Sequence, residues 1–364
     1  MKISGIIEYL ESVSPLSYQE DYDNCGLLVG DSGMEFQKAL LCLDLTEQVM
    51  EEAIRHKCNL LISHHPFIFK GLKKLTSDMA ETAIIKLALV NNVAIYAMHT
   101  NLDNTLEGLN SFVFSKLGIT NFSILAPKPG MHAKLTVFCP AGHAEKVRNV
   151  LFEAGAGQIG NYDCCSYNVE GEGTFRASEL AHPFVGKKNE IHVENEIRIE
   201  VIFPRHLEAG ILKSLREVHP YEEVAFDIYP LQNTLARSGA GLIGEFEKPV
   251  DEQDFLDLVK RKLELPVIRH TALRSKSISK VALCTGSGSF LIHDAIRSGA
   301  DAYLTADLKY HDFFEAAKNL LLVDIGHYES EQGVKEWLHA ALIEKFPNFA
   351  FLISEVNTNP VHYL

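Results

Sequence analysis

Paired cysteines, membrane-length apolar runs and an excess of positive charge are all missing from this 364-residue chain. No two of its seven cysteines are spaced two residues apart, which argues against a closed structural zinc site. An odd count without paired spacing also argues against a disulfide framework and fits reduced thiols in the cytosol. Cys164 and Cys165, being adjacent, are not expected to bond each other. The N-terminal Met1-Lys2-Ile3-Ser4-Gly5-Ile6 runs into acidic Glu8 and Glu11, and every apolar stretch is too short for a membrane span, so a cytoplasmic location is expected. Lys and Arg number 34 against 48 Asp and Glu, a formal charge of -14. That balance speaks against a nucleic-acid surface, because phosphate binding relies on clustered cations. A clear guanine or triphosphate motif is also lacking. At 46% hydrophobic and 23% charged residues, the chain is globular and long enough for two domains, or for one domain with an insertion.

What is present is a set of metal-ligand residues at the ends of three apolar runs. Residues 60–62 lead into Ser63-His64-His65-Pro66, residues 93–98 into His99-Thr100-Asn101-Leu102-Asp103, and residues 320–325 into Gly326-His327-Tyr328-Glu329-Ser330-Glu331. Runs this short and rich in Leu, Val and Ile predict strands buried on both faces, and ligands gather at the carboxyl ends of such strands. Neighbours on a regular strand point to opposite faces, so the chain must turn at His64-His65, helped by Pro66, for both rings to enter one cavity. His327 and Glu331 share a face if a helix begins after Gly326. Asp103 and Glu331 each carry two oxygens with which to bridge two ions.

His64, His65, Asp103, His327 and Glu331 are therefore candidate ligands for two divalent metal ions per chain. Imidazole and carboxylate suit zinc first, and manganese, iron or nickel as well, with water and substrate completing an open coordination sphere. An isolated histidine is more often structural than ligating; three clusters at strand ends reverse that weighting. His99 is read either as a residue orienting a ligand or substrate or as a buried structural histidine, and not as a ligand. Together with His311, it is a candidate for moving protons at neutral pH. Asp307 and His311 are read as lining the cavity or as structural, and Glu329, two positions from both His327 and Glu331, as solvated.

Along the chain, a strand over residues 39–43, a helix over 46–56 capped at Thr46 and a strand from Leu60 set a βαβ rhythm that predicts a parallel sheet. Breaks at Pro127-Lys128-Pro129-Gly130 and across residues 233–241 isolate a middle unit. Its strand, proline and helix over residues 134–153 repeat weakly over 197–218, giving a βαββαβ, ferredoxin-like pattern. The expected divisions are thus residues 1–126, 130–238 and 239–364. Gly155-Ala156-Gly157 and Gly160-Asn161-Tyr162 are turn residues. His219-Pro220-Tyr221-Glu222-Glu223 reads as a structural turn, with a second small-molecule or metal site as the alternative. Strand, Thr285-Gly286-Ser287-Gly288-Ser289 and helix over residues 280–297 fit an anion at a helix N-terminus.

These motifs, with Asp23-Asn24-Cys25-Gly26-Leu27 and Gly108-Leu109-Asn110, resemble the Nif-three-like family, whose bacterial members are called GTP cyclohydrolase 1 type 2 homologues. Tyr22 stands where that family often has Trp, a departure that leaves the ligand positions intact. The resemblance implies an α/β core with mainly parallel sheets, interrupted by a ferredoxin-like, PII-like α+β insertion. It also implies a dinuclear metal site on His64, His65, Asp103, His327 and Glu331, a ring-shaped homohexamer, and GTP or another nucleotide as small-molecule substrate. Metal-assisted hydrolysis opening the imidazole ring of GTP is the expected activity. A two-metal phosphoesterase and a non-catalytic regulator or scaffold with a sensing insert are the alternatives.

Overall fold

The chain opens with helix α1 (Ile3–Val13), whose Ile3, Ile6 and Leu10 recur at helical spacing and are buried. Strand β1 (Gly26–Val29) follows, then β2 (Lys38–Cys42), α2 (Glu47–Arg55), β3 (Leu60–Ser63), α3 (Ala80–Val90) and β4 (Ala94–Ala97). This computed structural model describes residues 1–76, 79–316 and 318–364. It divides into two units, Met1–Pro127 with Arg237–Leu364, and Lys128–Ala236. Helix α2 begins where its cap residue predicts: Thr46 is extended and its hydroxyl accepts a bond from the Val49 amide at 3.3 Å. Thr46→Ala is expected to cost about 1 kcal/mol of stability, read by urea denaturation, because that amide loses its only side-chain acceptor at the helix start.

In the first unit, α4 (Thr100–Asp103), α5 (Leu109–Leu117) and β5 (Asn121–Pro127) come next. The chain then leaves for the second unit through β6 (His132–Pro140), α6 (Ala144–Glu153), β7 (Tyr167–Arg176), β8 (Ile191–Pro204), α7 (Glu208–Val218) and β9 (Phe226–Leu231). It returns as β10 (Gly239–Asp251), α8 (Glu252–Lys262), β11 (Arg269–His270), β12 (Ser277–Ser287), α9 (Ile292–Arg297) and β13 (Ala302–Ala306). The last elements are α10 (Asp312–Ala316), β14 (Leu321–Asp324), α11 (His327–Glu331), α12 (Val334–Lys345) and β15 (Ala350–Ile353).

Two sheets form the first unit. The five-stranded sheet has the order β1-β4-β3-β2-β15 and is parallel except for the edge strand β1. Alternation along its strands sends Leu41, Ile62 and Tyr96 to one core with α1 and α12, and Leu40, Leu61 and Ile95 to another with α2 and α3. The six-stranded sheet, β11-β14-β13-β12-β10-β5, keeps β12, β13 and β14 parallel at its centre and takes antiparallel strands on both sides. Leu283, Leu304 and Val323 face Phe114 and Phe255; Tyr303 and Leu322 face Ile292 and Ala316. The break expected over residues 233–241 ends early, because Gly239 already pairs with Pro127 and starts β10.

The second unit is a four-stranded antiparallel sheet, β7-β8-β6-β9, with the βαββαβ succession of a ferredoxin-like unit. Both helices cover one face, where Leu135, Val137, Ile199 and Val201 meet Val147, Leu151, Ile211 and Leu215. Each helix is preceded by a single 3-10 turn, Ala141–His143 and Arg205–Leu207, so the α-helical turns start later than the sequence pattern suggests.

Candidate metal centre

Three strand ends in the first unit deliver one cluster. The chain turns out of β3 at His64 and His65, whose amides bond back to the Cys42 and Leu43 carbonyls and hold both rings beside the sheet's carboxyl edge. Asp103 closes the short helix α4 after β4, and α11 carries His327 and Glu331 on one face after β14. The five residues converge. His65 Nε2 and His327 Nε2 each stand 3.0 Å from Glu331 Oε2, while His64 Nε2 is 3.7 Å from Asp103 Oδ1 and 4.0 Å from Glu331 Oε1.

The outer nitrogens decide what those contacts are. His64 Nδ1 donates to the Met98 carbonyl at 2.8 Å, His65 Nδ1 to Asp44 Oδ1 at 2.7 Å, and His327 Nδ1 to Asp307 Oδ2 at 2.7 Å. Acceptors at all three positions fix each neutral ring with its proton outward and its Nε2 lone pair inward. Lone pairs then face carboxylate oxygens, and His64 Nε2, Asp103 Oδ1 and Glu331 Oε2 are buried with no hydrogen-bond partner. Buried polar atoms without partners are costly, so this geometry calls for positive charge at its centre. The ligand atoms of His64, Asp103 and Glu331 lie within 4.8 Å of one another, as do those of His65, His327 and Glu331, and those of His64, His65 and His99. These residues form clusters that can bind a metal.

Without a metal, protons on His65 and His327 answer that demand for positive charge. Burial and the neighbouring Glu331 charge hold the Asp103 carboxyl well above the usual range. Burial opposes the charged form of Glu331 too, but the His327 and His65 rings outweigh it and keep that carboxyl low. Burial brings His64 down to about 3. For His65, burial is outweighed by Asp44 and Glu331, which push it up to about 10; contact with Glu331 raises His327 to about 9. Both folded-state values lie above the ordinary 6.5 of an unfolded histidine, so this contribution is complete below about pH 6.5 and is lost as pH rises through 9 to 10. Chelator-treated protein is therefore expected to lose melting temperature between pH 7 and 10. Metal-supplemented protein should not, since metal binding strengthens as its ligands lose protons. Parallel melting curves would contradict the assignment.

His99 joins the cluster's edge. Its Nδ1 donates to Asp23 Oδ1 at 2.9 Å, and its ring stands edge-on to those of His64 and His65 at 5.3 and 5.2 Å. Burial works against the Asp23 charge, but the bonds from His99 and Thr100 hold the carboxyl well below its usual value. His311 is not brought in: it lies exposed beside the rings of Tyr310 and Phe314, on a turn before α10. Glu329 points away from the cluster, as spacing predicts, yet is buried rather than solvated. The C-terminal segment returns over it, and Asn359 Nδ2 and Tyr363 Oη donate to its Oε1 at 3.0 and 3.1 Å.

Asp44 and Asp307, which orient the His65 and His327 rings, and Asp23, which orients His99, are absent from the ligand spacing pattern. Asp307 adopts a left-handed φ of 55° to reach His327. Asp44 follows β2 at the same sheet edge as His65 and also accepts from Thr358 at 2.7 Å; a carboxylate at a parallel strand end was the available signal. Asp44→Asn is expected to weaken metal binding by roughly 10- to 100-fold while the fold persists, as loss of a ring-orienting partner does elsewhere. Titration with zinc against a competing chelator measures this.

The glycine turn seats the Glu331 carboxylate. The Gly286 amide donates to Ser330 Oγ at 3.0 Å and the Thr285 amide to Asn110 Oδ1 at 2.9 Å, so both are taken by side chains and do not form an anion cradle. A β-carbon on Gly286 would sit 2.1 Å from Glu331 Oε1, so the absence of a side chain lets that carboxylate lie against the turn. Asn110 also donates to the Asp103 carbonyl at 3.0 Å, tying the two halves of the unit together at the site. A cavity of about 570 Å³ opens beside His65 and His327, walled by Val267, Tyr328, Val361 and Tyr363, with Arg269 supplying a guanidinium. Tyr22 is exposed, its ring 6.1 Å from that of Phe69.

A family model described as Duf34/NIF3 (NGG1p interacting factor 3) matches residues 1–360. Among similar curated proteins, one from Bacillus subtilis strain 168, named GTP cyclohydrolase 1 type 2 homolog, is 36% identical over 364 residues, 99% of this chain and 98% of that protein. A protein of the same name from Halalkalibacterium halodurans is 36% identical over the full length of both. Among solved structures, a Bacillus cereus protein related to NIF3 superposes with a TM-score of 0.84 at 36% identity, covering 100% of this chain and 99% of that one. Staphylococcus aureus protein SA1388 gives 0.77 at 30% identity with the same coverage. No helix among the described residues is long and apolar enough to cross a membrane.

Proposed function

The chain belongs to the Duf34/NIF3 family, and from that premise we propose that it is a hydrolase working with two divalent ions, opening the imidazole ring of a purine nucleotide such as GTP. One observation carries this reading: the Nε2 atoms of three imidazoles converge on the oxygens of two carboxyl groups, and His64 Nε2, Asp103 Oδ1 and Glu331 Oε2 among them are buried without a hydrogen-bond partner, an arrangement that cations satisfy. His64 and Asp103 would hold one ion and His65 and His327 the other, with Glu331 common to both sets. Divalent ions in such a site supply an activated water at neutral pH.

The chain's own residues do the rest. Asp44 and Asp307 accept from Nδ1 and fix the orientation of the His65 and His327 rings, so that Nε2 is the atom left to face a metal. His99, its Nδ1 proton held by Asp23, is set to take up and return a proton at Nε2. The cavity of about 570 Å³ admits a nucleotide-sized molecule; the Arg269 guanidinium in its lining is paired with Asp324, so attraction for an anionic group would come from the metal ions. The names of the relatives direct the choice toward GTP, whose C8 leaves as formate when the ring is hydrolysed.

The test is formate release from GTP by protein loaded separately with zinc, manganese and iron, beside a His327→Ala control. Formate that depends on metal and disappears in the control supports the proposal. Phosphate without formate would replace it with a two-metal phosphoesterase, and neither product from metal-replete protein would overturn it.

A further inference from the structure

The face of the second unit's sheet that its helices leave free contains a hollow built by missing side chains. Register pairs Gly171 with Glu196 and Gly173 with Glu194, so both glycines lie on that face beside glutamates of β8. Glycine in a strand interior costs stability and commonly marks a place where something approaches the backbone closely. A β-carbon on Gly173 would fall 2.1 Å from Glu196 Oε2, whereas one on Gly171 would meet nothing within 4 Å. The first glycine lets the Glu196 carboxylate lie across β7. The second leaves open space.

Aromatic rings close that space into a cavity of about 690 Å³ lying wholly within the second unit. Tyr221 stands 6.3 Å from Phe175 and 6.4 Å from Phe184 between ring centroids, and Phe138 adds a further wall. Tyr221 Oη donates to Glu196 Oε1 at 2.9 Å, fixing ring and carboxylate together. Glu196, Glu222 and Glu223 line the cavity against two arginines, of which Arg198 is already paired with Glu200; Glu170 and Glu172 border it from strand positions whose side chains alternate to the other face. Among the described residues Glu223 makes no ion pair. The His219–Glu223 stretch divides its labour here. His219 donates from Nε2 to the Phe138 carbonyl and accepts from the Tyr221 amide at Nδ1, which uses both nitrogens and makes it a brace; Tyr221, Glu222 and Glu223 face the cavity.

We propose that this cavity binds a small organic cation, an ammonium carried on an apolar or aromatic body. Aromatic faces attract cations through their quadrupoles, and carboxylates beside them add charge; the same lining repels anions and leaves a neutral molecule only its apolar contacts. The volume lies in the range of small-molecule sites. This inference does not depend on the activity proposed for the metal centre.

The test uses full-length protein and three fluorinated probes matched in size: 4-fluorophenethylamine, 2-(4-fluorophenyl)ethanol and 4-fluorophenylacetate, followed by fluorine NMR line broadening. The amine should bind at least ~10-fold more tightly than the alcohol, with no detectable binding of the acetate. Glu196→Gln should remove most of that preference. Gly171→Val, which has room for its side chain and suits a strand, should block the amine and the alcohol while leaving the melting temperature within a few degrees of the parent. Amine and alcohol binding equally, undiminished binding by G171V, or no binding of the amine to the parent protein would each overturn the proposal.

Discussion

Replacing Glu331 by Gln is expected to empty the metal centre while leaving the fold in place. Gln keeps the size of the side chain but removes the charge common to both clusters, and its amide leaves one oxygen where the carboxylate had two. Losing a group that merely orients a ligand weakens metal binding by roughly 10- to 100-fold, so loss of a shared ligand should exceed ~100-fold. Metal content after dialysis measures it. A second signature follows from charge. Glu331 contributes to raising both His65 and His327, so metal-free E331Q should show a flatter dependence of melting temperature on pH between 7 and 10 than the metal-free parent. Unchanged metal retention would remove Glu331 from the centre.

Gly286→Ala should destabilise the protein and disturb the same centre from outside the ligand set. Gly286 has a φ of 63°, a left-handed conformation that costs a residue with a β-carbon roughly 1–2 kcal/mol. The new methyl group also has to displace the Glu331 carboxylate that stands 2.1 Å from its position, and overpacking of this kind typically costs about 1–3 kcal/mol more. A loss of about 2–5 kcal/mol in urea denaturation, accompanied by metal loss, is the expected result. Gly210→Ala is the matched control. It lies inside α7 with nothing within 4 Å of the added carbon, and should stabilise by about 0.5–1 kcal/mol. If G286A kept both stability and metal, the seating role of the glycine turn would be wrong.

The residues on the cluster's rim show where sequence periodicity suffices and where it does not. The α2 start at Thr46, the pairing of His327 with Glu331 on α11 and the turn at His64-His65 are local: a cap, a four-residue spacing and a strand end decide them. The parallel order of β2, β3 and β4 also follows from short buried runs separated by helices. Long-range contacts were not legible. Glu329 is buried because Asn359 and Tyr363 return to it from the end of the chain, and no spacing around residue 329 encodes that. Asp23, Asp44 and Asp307 come from three different segments; Asp23 stands in a family motif and Asp307 reads as cavity-lining or structural, but no spacing sets any of the three against a ring nitrogen. His311 sat close to a strand end yet turned outward, and the amides of Thr285 and Gly286 were claimed by Asn110 and Ser330, residues 175 and 44 positions away.

The most direct measurement of the central claim is anomalous diffraction from crystals of the unmodified protein grown with zinc. Two peaks are predicted, one among His64, Asp103 and Glu331 and one among His65, His327 and Glu331. A single peak, or peaks only on surface residues away from these five, would contradict a centre built for two ions.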